Sequence, residues 1–149
     1  MPRRRLSIDQ TYFVRQPVSK VFRALSTPAG LSRWFLKSAR LPRENGAKYE
    51  FVWQGGYRHA AKVLAFVPDR QLSLQWWNRA RGRTLWTRAT FTFRSLGKGT
   101  LLHLRHTGYP RSDPWIEVYG ATQSGWAYFL QNLKSVLEHE HDLRSPREL

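Results

Sequence analysis

At 149 residues the chain has the length of one domain, able to bury about two-thirds of its unfolded surface around a real core. It has no cysteine, which excludes disulfides, thiolate metal sites and thiol catalysis and is compatible with a reducing compartment. No apolar run approaches membrane-spanning length and none follows the basic start Met-Pro-Arg-Arg-Arg, so a soluble, cytoplasmic protein is expected, with a net charge of +15.

Leu6, Ile8, Tyr12 and Val14 alternate with Ser7, Asp9, Thr11, Phe13 and Arg15, which predicts a first strand with one apolar face. Val18, Val21, Phe22 and Leu25 follow at helical spacing, with Pro17 expected at the first position of a helix over 17–26. Thr27-Pro28 repeats a cap-then-proline signal, and Leu31, Trp34 and Phe35 predict a second short helix ending near Lys37. Residues 38–46 read as a polar connection closing on the turn Asn45-Gly46.

From there the period is two. Tyr49, Phe51 and Trp53 precede a Gly55-Gly56 turn; Tyr57, His59, Ala61, Val63 and Ala65 precede Pro68-Asp69; Leu72, Leu74 and Trp76 lead to a loop around Asn78 to Arg83. Leu85, Ala89, Phe91 and Phe93 form the next strand, Leu96 to Gly99 a hairpin, and Leu102, Leu104 and His106 the last. Short turns make neighbours antiparallel, at least six strands in all.

The chain then predicts one long helix from about Asp113 to His141, with Asp113 as N-cap and Pro114 at the first helical position. Trp126, Phe129, Leu130, Leu133, Val136 and Leu137 lie on one side, and Gln131, Lys134, Ser135 and Glu138 on the other. Such a helix, roughly 40 Å long at 1.5 Å per residue, crosses a whole small domain and needs a broad cover. The expected class is α+β: a curved antiparallel sheet gripping a C-terminal helix, with two short helices after strand one. One domain over 1–149 is expected, with frayed tails at 1–5 and 143–149.

These pieces resemble a known family. Pro17, Val21 to Pro28, Leu31, Trp34-Phe35, Gly46, Val63, Pro68, Leu72, Leu74, Trp76, His106, Gly108-Tyr109, Gly125-Trp126, Leu130, Asn132 to Lys134 and Leu137-Glu138 stand in the order and spacing of the Bet v 1-like, START-related (SRPBCC) superfamily. Within it the chain is similar to the branch named for the C-terminal domain of the activator of Hsp90 ATPase. The resemblance implies a helix-grip fold with a cavity that holds hydrophobic small molecules, in some relatives with cyclase or aromatase activity. The eukaryotic co-chaperone carries a further N-terminal domain for Hsp90 contact, for which 149 residues leave no room, so ATPase activation is not expected, while a chaperone-associated role stays among the alternatives that the resemblance implies.

Consistent alternation gathers Tyr49, Phe51, Trp53, Tyr57, His59, Trp76, Phe91, Leu104 and His106 on the face toward the long helix, with Trp34, Trp126, Phe129 and Leu130 completing a candidate ligand cavity. The competing expectation is that these rings pack the core completely. His59 and His106 should point inward, either to orient a ligand and move a proton or as core histidines bonded to the protein. His103 faces away from His106, and His139 and His141 sit on a solvated helix end, so no metal site is expected, nor any cofactor. Catalytic signatures are otherwise missing; a cyclase would have only His106 or Tyr57 and the shape of the cavity to use.

Residues 1–111 hold 22 Lys and Arg against 4 Asp and Glu, while 112–149 hold 3 against 6. A field of that kind attracts acidic proteins or nucleic acid, with Arg79, Arg81, Arg83 and Arg111 as candidate contacts and Trp77 and Trp86 as stacking rings. Because 19 of the 25 basic residues are Arg scattered along the chain, a simply solvated surface is the competing expectation. A hydrophobic small molecule is the leading partner, and no oligomeric state is implied.

Overall fold

The period-two stretches become six strands, the polar connection before them supplies a seventh, and the helical stretches become three helices. The computed structural model describes residues 4–145, in the order β1 (Leu6–Val14), α1 (Val18–Ser26), α2 (Pro28–Ser32), β2 (Ser38–Arg40), β3 (Lys48–Val52), β4 (Arg58–Val67), β5 (Gln71–Ala80), β6 (Arg83–Leu96), β7 (Gly99–Tyr109) and α3 (Trp115–His139). Every pairing is antiparallel, and the spatial order β1-β7-β6-β5-β4-β3-β2 leaves β1 and β2 as edges of one curved, unclosed sheet. This is the α+β helix-grip arrangement that the sequence predicts.

α3 packs on the inner face of that sheet. Its Trp126, Leu130, Leu133, Val136 and Leu137 share one core with Ile8, Phe91, Leu102 and Leu104 of the strands. Full burial of a leucine contributes about 2 kcal/mol, against helix propensities that differ by about 0.7 kcal/mol or less among ordinary residues. Packing, not propensity, therefore fixes this helix.

Several local expectations are corrected. Pro17 keeps extended backbone and precedes α1, which begins at Val18. Thr27 caps α2 as predicted, its hydroxyl accepting the Gly30 N–H at 3.0 Å, but α2 stops at Ser32 and the chain leaves for the sheet edge, where Lys37 N donates to Val52 O at 2.8 Å. The polar connection 38–46 thus contains β2, three residues that are too few to show a period. The expected loop at Asn78 to Arg83 is strand, paired as Asn78 with Leu85 and Ala80 with Arg83; only Arg81-Gly82 turns, at φ of 50° and 71°, the two positive values that a tight hairpin needs. α3 starts one residue later than the cap pattern predicts, so Asp113 does not cap it; the residue at the helix boundary is Pro114, which offers no side-chain bond. The alternation also breaks inside β4, where a register shift between Val63 and Ala65 turns Phe66 inward, edge-on to Phe22 at 5.4 Å.

Of the expected frayed tails, 1–3 and 146–149 lie outside the described residues. Within them the ends are tied. Arg5 Nη1 donates to Gly108 O at 3.0 Å, and the buried Arg144 guanidinium pairs with Asp142 at 2.8 Å and donates to Ser32 O at 3.0 Å. Asn132, fully buried in α3, joins the same knot by donating to Trp34 O at 2.9 Å and accepting from Leu143 N at 2.6 Å.

Candidate functional site

The ladder between β4 and β5 runs only from Val67–Gln71 to Val63–Leu74. Beyond it β4 swings toward β3, and the Tyr49 hydroxyl crosses the gap instead, donating to Gln75 O at 2.6 Å. The opening between this parted sheet and α3 holds a cavity of about 240 Å³. Trp53 and Tyr57 flank its mouth on the β3–β4 hairpin, where Gly55 and Gly56 take φ of 90° and 89°, values that only glycine adopts without strain. His59 and Trp76 line the sheet side, Phe35 comes from the α2–β2 link, and Thr122, Gly125, Trp126 and Phe129 face it from α3.

The rings lock one another. The His59 imidazole lies 4.1 Å from the Trp76 ring, Trp76 is 5.1 Å from Trp126, and Phe35 meets Phe129 edge-on at 4.9 Å. A Cβ at Gly125 would meet nothing within 4 Å, so this glycine supplies open volume to the cavity. No charged side chain lines the space.

His106 lies behind Trp126 and is fully buried. The Trp126 indole N–H donates to its Nδ1 at 3.0 Å, so the imidazole proton sits on Nε2 and is donated to the Thr87 hydroxyl at 2.7 Å. Asn78 donates from Nδ2 to the same Thr87 Oγ1 at 2.9 Å, and its Oδ1 accepts the Tyr109 hydroxyl proton at 2.7 Å. Both imidazole nitrogens are committed to protein. Burial, and after it the positive charge His59 would carry, lowers the His106 pKa from 6.5 to about 3, so the ring is neutral. That is a core histidine with no free lone pair, not a proton shuttle.

His59 differs. Its Nε2 lies 2.7 Å from the Tyr49 hydroxyl, and burial lowers its pKa to about 4. Burial also pushes the Tyr49 phenol up, so that pair is neutral at ordinary pH.

Trp53, Tyr57, His59, Trp76, Trp126 and Phe129, all singled out in the sequence, come together around the cavity, Tyr57 being 57% exposed at its rim. Trp34, Phe51 and Phe91 instead border a void of about 10 Å³ deeper in the core, too small for a ligand. Tyr49, Leu104, His106 and Leu130 line neither space. Phe35, Trp77, Thr122 and Gly125 were not in the candidate set. Trp77 should face outward by alternation, yet its ring reaches the cavity edge where the ladder with β4 has ended; Gly125 has no side chain for a pattern to notice.

Elsewhere, His103 bonds Asp9 at 2.5 Å on the outer face, and no three metal-ligating side chains converge among the described residues. No helix among them is long and apolar enough to cross a membrane.

The model of one protein family, described as activator of Hsp90 ATPase homolog 1-like protein, matches residues 15–138. The chain belongs to this family. Solved structures share the fold of this member of the activator homolog family. A Mesorhizobium loti protein is similar at 23% identity and a TM-score of 0.80, over 91% of this chain and 99% of its own. CalU16 from Micromonospora echinospora is similar at 24% identity and 0.71, over 97% and 80%. DynU16, from the dynemicin biosynthetic locus, is similar at 22% identity and 0.77, over 93% of this chain but 49% of its own. Among curated proteins none matches the sequence. In this member of the family, the match from β1's end to the last turns of α3 takes in every residue that lines the cavity.

Proposed function

We propose that this protein binds a small, neutral, largely aromatic molecule in the cavity between the β3–β4 hairpin, β5 and α3, without chemical turnover. The observation that carries this reading is an uncharged space of about 240 Å³ walled mainly by aromatic rings, in a chain whose net charge is +15. Ligand pockets are apolar enclosures with a few placed polar groups, about 300–1,000 Å³ in general, so a small ligand of about two fused rings suits this one. Cyclase-like catalysis is disfavoured because His106 has no free nitrogen and His59, with its pKa lowered to about 4, is a weak base at neutral pH.

Native mass spectrometry of gently purified, nuclease-treated protein tests it. The expected result is an adduct of a few hundred daltons on the wild type that is absent from Gly125→Leu, whose side chain would fill the cavity. An adduct retained by the variant would overturn the reading.

The outer sheet face favours a second reading. Trp86, 51% exposed, pairs across strands with Trp77, and Arg79, Arg88 and Arg105 occupy the same face. Single-stranded nucleic acid could stack on Trp86 and place phosphates on the arginines. Affinity for a single-stranded oligonucleotide should then fall steeply with salt and drop in Trp86→Ala; salt-independent or absent binding would remove this reading.

A further inference from the structure

The Tyr49 hydroxyl has one proton and donates it to Gln75 O at 2.6 Å. The 2.7 Å contact with His59 is therefore Nε2–H donating to the tyrosine oxygen, which puts the imidazole lone pair on Nδ1. His59 is only 2% exposed, and Nδ1 has no protein partner among the described residues. No sealed side-chain nitrogen or oxygen among those residues lacks a partner, so Nδ1 is part of what remains accessible of a residue whose open side is the cavity.

A second group offers the same polarity. The Thr122 hydroxyl on the cavity's helix side donates its proton to Val118 O at 2.7 Å, so it brings no free donor. The indole of Trp126 brings no donor either, since its N–H ends on His106. The tilted contact with Trp76 and the bond to Tyr49 hold the His59 ring in place, so its lone pair is fixed in direction.

We propose that the cavity selects aromatic ligands that carry a hydroxyl or N–H on the ring, and that His59 Nδ1 accepts that proton in a hydrogen bond. The inference rests on the aromatic-ligand reading above and adds the donor to it. A ligand offering only ether or carbonyl oxygen at this point sets lone pair against lone pair and leaves Nδ1 desolvated without a partner. Tyr49 acts here as a positioning residue, because its bond to Gln75 decides which imidazole nitrogen keeps the lone pair.

Isothermal titration of the intact protein with 2-naphthol and with 2-methoxynaphthalene tests this. The wild type should bind the naphthol about tenfold more tightly, the ratio worth one neutral hydrogen bond. In His59→Phe, which keeps an aromatic ring and removes the acceptor, the ratio should fall to about one, in part because the ether no longer desolvates Nδ1 and binds more tightly. The wild-type ratio needs no variant and stands if His59→Phe fails to fold. Equal binding of both probes by the wild type overturns the donor inference and leaves the aromatic reading intact. Failure of both to bind overturns the two together.

Discussion

The indole N–H of Trp126 ends on Nδ1 of His106 at 3.0 Å, joining the wall of the cavity to a sealed network behind it. Trp126→Phe keeps a ring in place but orphans that nitrogen. Leaving a buried acceptor unpaired costs about 1–3 kcal/mol, and the lost ring area adds to it. Urea denaturation should show the midpoint lowered accordingly; an unchanged midpoint would mean the bond contributes nothing.

The two buried histidines make stability depend on pH. Burial lowers the His59 pKa from 6.5 to about 4, and burial with the His59 charge lowers that of His106 to about 3. In the folded state both stay neutral below pH 6.5 while the unfolded chain takes up protons. Their contribution is complete above about pH 6.5 and is lost as pH falls from there toward 4 and then 3. Between pH 7.5 and 5 the pair should cost on the order of 3–4 kcal/mol, and His106→Gln should halve the slope. Asp142, held well below the usual carboxylate range at about 2 chiefly by its bond from Arg144, stays ionised throughout that window.

At Gly30 the backbone of α2 lies directly against that of α1. A Cβ there would lie 2.3 Å from Arg23 O and 2.7 Å from Ala24 Cα, both backbone atoms that cannot step aside. Gly30→Ala should destabilise by about 1–3 kcal/mol, whereas Gly120→Ala, in open space on α3, should stabilise by up to about 1 kcal/mol. Thermal melts of the two variants check the contrast.

Arg144 fastens the segment after α3. Its side chain is 4% exposed, and Arg144→Ala would strip a charge-assisted donor from Asp142 and from Ser32 O. Since Asp142 is partly solvated, the expected cost is about 1–3 kcal/mol, below that of a fully buried pair. A double-mutant cycle with Asp142→Ala should return a favourable coupling; additivity would show the pair to be incidental.

Periodicity made the helix-grip legible, because Leu130, Leu133 and Leu137 can be buried together only on one side of a helix and Phe91, Leu102 and Leu104 only on one face of strands. It did not reveal β2, whose three residues show no period, nor the inward turn of Phe66, which depends on a register shift. The candidate cavity was half legible. His59 and Trp76 follow from alternation, but alternation makes His106 equivalent to His59, and only its partners Thr87 and Trp126, both far away in sequence, tell the two apart. Where the rings leave space depends on the parting of β4 from β5 and on Gly125, and neither has a pattern in the chain.

The most direct measurement follows the seven tryptophan indole N–H signals in a proton–nitrogen NMR titration with 2-naphthol. Ligand in the cavity should shift Trp53, Trp76, Trp77 and Trp126 together and saturably, leave Trp86 on the outer face unmoved, and lose all four shifts in Gly125→Leu. Saturable shifts at Trp86 with the cavity signals still, or no saturable shift at all, would contradict the account.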